Sequence, residues 1–236
     1  MTFEDQHDDV GVVRVFGQLG ADEAVVVVVD LVLLLGAPLV VLEDHRDDDP
    51  LRDTNREALK RRIEEAAAAG ARLVAFGEAL VPGYPFWIER TGGAAFDSPL
   101  QKEIHAHYLD QAVQLEAGHL DRVRQCAGDH GTAVYLGVIE RPLDRGGHSV
   151  YASLVYLDAQ GAVGSVHRKL MPTHEERLAW SPGDGHGLRT HALGPFTVGG
   201  LNCWENWMPL PRAALWHTVD LVLLGIAIVF LYRRYL

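Results

Sequence analysis

Hydrophobic and polar positions fall into two regimes along the chain. Ala58, Leu59, Ile63, Ala66 and Ala67 recur at helical spacing, Thr54 and Glu57 make a T-x-x-E capping box before them, and Gly70 follows as a stop. An amphipathic helix is therefore expected from Asn55 to Ala69. RLVAF (72–76) reads as a short buried strand and VPGYP (81–85) as a turn-rich loop. Ser98 and Pro99 open a second helical region carrying Leu100, Ile104, Tyr108, Leu109 and Leu115, and Gly118 breaks it before a further helix running to Gln125. From Thr132 the period changes to that of strands: TAVYLGVIE, VYASLVYLD, a turn at 159–161, and AVGSVHR. LRTHAL and FTVGGLN make a hairpin about Gly194-Pro195, and PLPRAALW (209–216) reads as a helix. The order β, α, β, αα, βββ, ββ, α predicts an α/β domain, a mixed sheet with helices packed on one face.

Two apolar stretches raise the question of a membrane. AVVVVVDLVLLLGAPLVVL (24–42) is interrupted by Asp30, Gly36 and Pro38, and is read as two buried strands about a Gly-Ala-Pro turn. The run from Leu221 to Tyr232 is shorter than the roughly 20 residues of a spanning helix, so a buried strand is expected there too. Composition agrees with one globular domain: 48% hydrophobic, 22% charged. Thirty-two acidic against 21 basic side chains leave a net charge of −11, which repels phosphate backbones and argues against a nucleic-acid partner. Two cysteines do not make a disulfide framework, and the acidic start MTFEDQHDD is unlike a secretory leader, so a cytoplasmic protein is expected.

Candidate chemistry lies at strand ends. Glu78 follows RLVAF, Lys169 follows AVGSVHR and Cys203 follows FTVGGLN. Side chains released at neighbouring strand ends can converge on one cavity. Lysine is scarce, occurring only at 60, 102 and 169. A thiol that titrates near pH ~8.5 needs a base to attack carbon at neutral pH, and Glu78 is of the right type. Lys169 and the Trp204 N–H suit the negative charge that attack on a nitrile or amide builds. On spacing alone, a buried structural Cys203, a surface Lys169 and a loop-capping Glu78 are an equal alternative. Cys126 reads as a core residue. His105 and His107, two apart on a helix, face different sides and make no metal pair. GDGHG (183–187) has no helix signal after it, so it is read as a loop and not as a phosphate cradle.

FGEALVPGYPFW (76–87), HRKLMPTHEERLAWSPGDGHGL (167–188) and GGLNCWENWMPLPRAAL (199–215) resemble the three signature blocks of the nitrilases, in the carbon–nitrogen hydrolase superfamily. The resemblance runs from about Arg56 to Trp216. It implies an αββα sandwich, assembly into homo-oligomers, and a Glu-Lys-Cys triad carried by Glu78, Lys169 and Cys203, with no metal or organic cofactor. It also implies a second glutamate between the first two triad members, a place that Glu140 occupies, to orient Lys169 or the water. The expected reaction is hydrolysis of a small-molecule nitrile to a carboxylic acid and ammonia. An amidase or carbamoylase of the same superfamily and an inactive remnant acting in assembly are the alternatives. Tyr84, Trp87, Trp204 and Trp207 are candidates to line an aromatic-accepting pocket, with core packing as the other reading.

The chain also departs from the family pattern. A Val-rich segment and an acidic loop precede Asn55, with GVVRVFGQLG as the candidate first strand. Gly77 stands where the family has proline, and the chain ends 33 residues after Cys203. The expectation is an atypical segment 1–54, a hydrolase domain 55–218 and an atypical apolar segment 219–236, with the sandwich incomplete at its C-terminal end. The apolar surface this leaves predicts self-association in solution, not membrane attachment.

Overall fold

The computed structural model describes the backbone of Asp5–His7, Val13–Gln18, Val25–Val29, 50–216 and Leu221–Leu223, and the side chains of 57–215. In chain order the elements are β1 (Asp5–His7), β2 (Val13–Gln18), β3 (Val25–Val29), α1 (Pro50–Ala68), β4 (Ala71–Phe76), α2 (Trp87–Thr91), α3 (Pro99–Gln111), α4 (Asp121–Asp129), β5 (Ala133–Glu140), β6 (Tyr151–Leu157) and β7 (Val163–Arg168). Then come β8 (His191–Leu193), β9 (Phe196–Gly200), α5 (Pro209–Trp216) and β10 (Leu221–Leu223). Two short 3₁₀ turns, His174–Leu178 and Cys203–Trp207, follow β7 and β9.

Strands β1 to β7 form one sheet in sequence order, with β3, β4 and β5 parallel and the other pairings antiparallel. The expected single mixed sheet is corrected: the 191–200 hairpin forms a second sheet, ordered β10-β9-β8. Alternation along the central strands explains the layering. Val74, Phe76, Val134, Leu136, Val155 and Leu157 pack on Leu59, Ile63 and Ala66 of α1 and Val123, Cys126 and Ala127 of α4. Their neighbours Leu73, Ala75, Ala133, Tyr135, Leu154 and Tyr156 pack instead on Leu193 and Val198 of the second sheet. A strand buried on both faces is apolar at nearly every position, which is why RLVAF and TAVYLGVIE show no alternation. Helices on one face and a second sheet on the other are three successive layers, α, β and β, of the expected αββα sandwich.

Several expectations change. Helix α1 starts at Pro50, so Thr54 and Glu57 lie inside it; proline suits the first turn because its missing N–H has no acceptor there. The strand that runs parallel to β4 across the α1 crossover is β3, and GVVRVFGQLG supplies β2, one place further out and antiparallel. Within 24–42, Val25–Val29 is a strand, and the remainder of that stretch lies outside the described residues. Leu221–Leu223 is a strand parallel to β9, and the residues after it also lie outside. Among the described residues no helix is long and apolar enough to cross a membrane. His105 is half-buried beside Trp87 while His107 is exposed, as their spacing requires.

Candidate active site

Glu78 sits in the turn that ends β4, followed by Ala79 at φ +55°. That turn lies on Gly137 of β5: a Cβ there would stand 2.1 Å from the Gly77 carbonyl oxygen and 2.7 Å from the Glu78 Cα. A side chain at 137 would therefore push the glutamate's backbone away, so glycine is required for close approach rather than for its dihedral angles.

Lys169 follows β7. Its N–H donates to the Ala152 carbonyl at 2.8 Å, and its own carbonyl accepts from the Gly183 N–H at 2.8 Å. GDGHG is a loop as expected, and its glycines have a use: a Cβ at Gly183 or Gly187 would strike the β7 backbone, at 2.2 Å from the Arg168 oxygen and 2.1 Å from the Val166 oxygen. The Lys169 side chain is wholly buried. Nζ stands 2.8 Å from Glu78 Oε1 and 2.7 Å from Glu176 Oε2, and 5.4 Å above the centroid of Trp180. Burial would lower its pKa, but Glu78 and Glu176 outweigh that and raise it, so it is a fixed cation.

Cys203 opens the 3₁₀ turn after β9 at φ +38°, a left-handed backbone that costs on the order of 1–3 kcal/mol and collects at functional sites. Its thiol is pushed up to about 11 by burial and then by the charge of Glu78; Lys169 and a hydrogen bond from the Trp204 N–H pull the other way. Glu78 is raised from 4.5 to about 7, chiefly by burial and against the pull of Lys169, with Glu176 adding to the rise. The three strand-end residues thus share one electrostatic neighbourhood. The resting thiol is neutral, and the carboxylate beside it titrates where a general base is most useful.

Glu140 does not join them. Its carboxylate accepts from Ser153 Oγ at 2.6 Å and from Arg168 Nε and Nη2 at 2.8 and 2.7 Å, leaving it committed to the residue before Lys169. Arg168 also stacks over Tyr151 and pairs with Asp184. Successive residues of a strand face opposite ways, so a partner of Arg168 is not a partner of Lys169. The second carboxylate on the lysine is Glu176, which also accepts from the Thr173 N–H at 2.6 Å and the Tyr84 hydroxyl at 3.0 Å.

The proposed pocket aromatics divide. Tyr84 reaches the site through Glu176 and meets Trp180 edge-on. Trp87 belongs to the core, packed near Tyr108 and His105. Trp204 and Trp207 are exposed, the latter at 73%. Sequence reading missed Glu176, Trp180 and the buried Glu205. The signal for both glutamates was present as T-x-x-E at Thr173 and N-x-x-E at Asn202, each a capping box on a 3₁₀ turn.

Among the described residues the grouping of metal-ligating types is Glu64, Cys126 and His130, with ligand atoms within 4.8 Å of one another. It lies on α1, on α4 and on the residue that caps α4, which supply none of the residues above, and the Cys126 thiol donates to the Lys60 carbonyl.

Residues 50–217 match the family model described as carbon-nitrogen hydrolase. The chain is 37% identical over 168 residues to Nitrilase 2 of an unknown prokaryotic organism, covering 70% of this chain and 50% of that protein. It is 34% identical over 158 residues to an aliphatic nitrilase of Rhodococcus rhodochrous, covering 65% and 40%. A bifunctional nitrilase/nitrile hydratase of Oryza sativa subsp. japonica is 38% identical over 161 residues, covering 66% and 43%. The chain thus spans half or less of the length of these relatives. The crystal structure of an amidase from Nesterenkonia sp. shares the fold at TM-score 0.53 and 21% identity, covering 72% of this chain and 57% of that one.

Proposed function

The chain belongs to the carbon–nitrogen hydrolase family, and from that premise we propose that it hydrolyses an organic nitrile to a carboxylic acid and ammonia with Cys203 as nucleophile. The observation that carries this reading is the wholly buried Lys169 ammonium held between Glu78 and Glu176, in the electrostatic neighbourhood of Cys203. Cys203 Sγ attacks the nitrile carbon while Glu78 takes the thiol proton and passes it to the nitrile nitrogen, giving a thioimidate. Lys169 and the Trp204 N–H face the negative charge that develops on that nitrogen. Glu78 then takes a proton from water as its oxygen adds to the same carbon. Returned to the nitrogen, that proton completes a tetrahedral adduct bearing a hydroxyl and an NH₂; Glu78 then carries the hydroxyl proton to the nitrogen, the C–N bond breaks, ammonia leaves and a thioester remains. A second water, activated the same way, cleaves the thioester to the acid and restores the thiol. Two waters are consumed per nitrile, and every proton passes through Glu78.

The nitrile is preferred over an amide because the relatives above 30% identity are named nitrilases, whereas the amidase likeness at 21% speaks to fold alone. The tetrahedral adduct formed by the first water can also expel the thiolate and release an amide, the hydratase outcome named for the Oryza relative. Ammonia and amide released from a panel of aryl, arylaliphatic and aliphatic nitriles, set beside ammonia from the matching amides, test the reading. Turnover of amides alone rejects it. Self-association of the chain, proposed with the same reading, is checked by size-exclusion chromatography.

A further inference from the structure

Glu205 is fully buried two residues after the nucleophile, and three nitrogen donors converge on its carboxylate. Oε1 accepts from the Leu170 N–H at 2.7 Å and Oε2 from the Asn202 N–H at 2.8 Å. His167 Nε2 stands 3.0 and 2.9 Å from the two oxygens and donates between them. Leu170 immediately follows Lys169, and Asn202 immediately precedes Cys203. One side chain therefore clasps the backbone beside the cation and the backbone beside the nucleophile, which arrive from different sheets. Within the same turn, Asn206 Nδ2 donates to the Cys203 carbonyl at 2.8 Å, so the far side of the nucleophile is also tied.

The chemistry of Glu205 itself fits no other use. Both oxygens are occupied, and it has no solvent face from which to exchange a proton. His167 is buried too, and its Nε2 is directed at the two oxygens of Glu205. Resting on the nitrilase reading above, we propose that Glu205, oriented by His167, is a positioning residue that sets the placement of Cys203 Sγ relative to Lys169 Nζ. A carboxylate suits this task where an amide does not. It offers an acceptor to each backbone N–H at once, whereas glutamine turns an NH₂ toward one of them and drives the two strand ends apart.

The test compares the full chain with Glu205→Gln and Cys203→Ala. It reads kcat, KM, the melting temperature, and the rate at which iodoacetamide labels Cys203, with Cys126 in the same chain as reference. A displacement of about 1 Å between nucleophile and cation costs about 10²-fold in rate. Glu205→Gln is expected to lower kcat per folded site by about that factor, with KM changed less than about threefold. It is also expected to change the Cys203 labelling rate several-fold while leaving that of Cys126 alone. A merely structural Glu205 lowers the melting temperature and the folded fraction but leaves kcat per folded site and the labelling ratio at parent values, and that result overturns the proposal. Where Glu205→Gln does not fold, the same readouts pass to Glu205→Asp, which keeps the charge but is one methylene too short to hold both amides. Parental turnover by Cys203→Ala sinks the nitrilase reading itself. Loss of turnover in Cys203→Ala with full kcat in the folded Glu205 variant sinks only the positioning role.

Discussion

Glu176 Oε2 stands 2.7 Å from Lys169 Nζ, across a separation of seven residues, inside the chain's buried polar centre. This contact makes the lysine a two-carboxylate ammonium, and the second carboxylate also raises the pKa of the first. Replacing Glu176 with Gln removes that repulsion. The acid limb of the kcat/KM profile is then expected to move to lower pH while kcat falls about 10²-fold as the ammonium loses its second anchor. A limb that stays in place, measured across pH 5 to 9, counts against the coupling.

Glu78 links pH to activity and to stability with opposite sign. The proposed mechanism uses the ionised carboxylate, so kcat/KM is expected to rise through about pH 7. Its folded pKa lies above the ordinary 4.5, so the folded state holds the proton more tightly. Its contribution to stability is then full below about 4.5 and is lost as pH rises through about 7. Glu78→Gln carries no such loss. Its denaturant midpoint should gain on the parent's between pH 5 and pH 8, and a constant difference would refute the shift.

Lys169→Met is expected to do more than stop turnover. It leaves Glu78 and Glu176 buried without their counter-ion, a change that typically costs about 3–5 kcal/mol. Protonation of the carboxyls relieves that cost, so the loss in unfolding free energy should be larger at pH 8 than at pH 5. Equal losses at both pH values would show that the ion pairs are not what holds this centre.

Gly137→Ala places a methyl group 2.1 Å from the Gly77 carbonyl oxygen. The turn carrying Glu78 must shift, at a cost of about 1–3 kcal/mol, and kcat is expected to fall while Cys203 labelling persists. A variant with parental melting and parental kcat would mean the close approach is absent.

Cys203 is expected to alkylate faster than Cys126, because Cys126 is buried in the α1–α4 core and its thiol is also raised by burial. With Cys203 itself pushed up to about 11, its labelling rate should still be climbing at pH 9 instead of levelling near neutrality. A plateau below pH 7 in time-resolved mass spectrometry would instead indicate a thiolate at rest.

Local pattern alone placed β4 and β7 within one residue and β9 within two, and set Glu78, Lys169 and Cys203 within three residues past their ends. A buried strand and the turn that stops it are written in five to eight consecutive residues, and chain order carries them into any fold that pairs those strands. The sequence motifs also established the family. Which carboxylate meets Lys169 was not local information. Glu140 ends β5 and Glu176 lies within the 3₁₀ turn after β7, and which of them meets the lysine depends on Arg168 and Lys169 pairing with different carboxylates at the end of β7. The burial of Trp87, the close approach at Gly137 and the clasp of Glu205 on Leu170 and Asn202 likewise depend on segments far apart in the chain. A side chain's direction at the end of a strand is set by what packs against it, and only the assembled sheets bring those partners within reach.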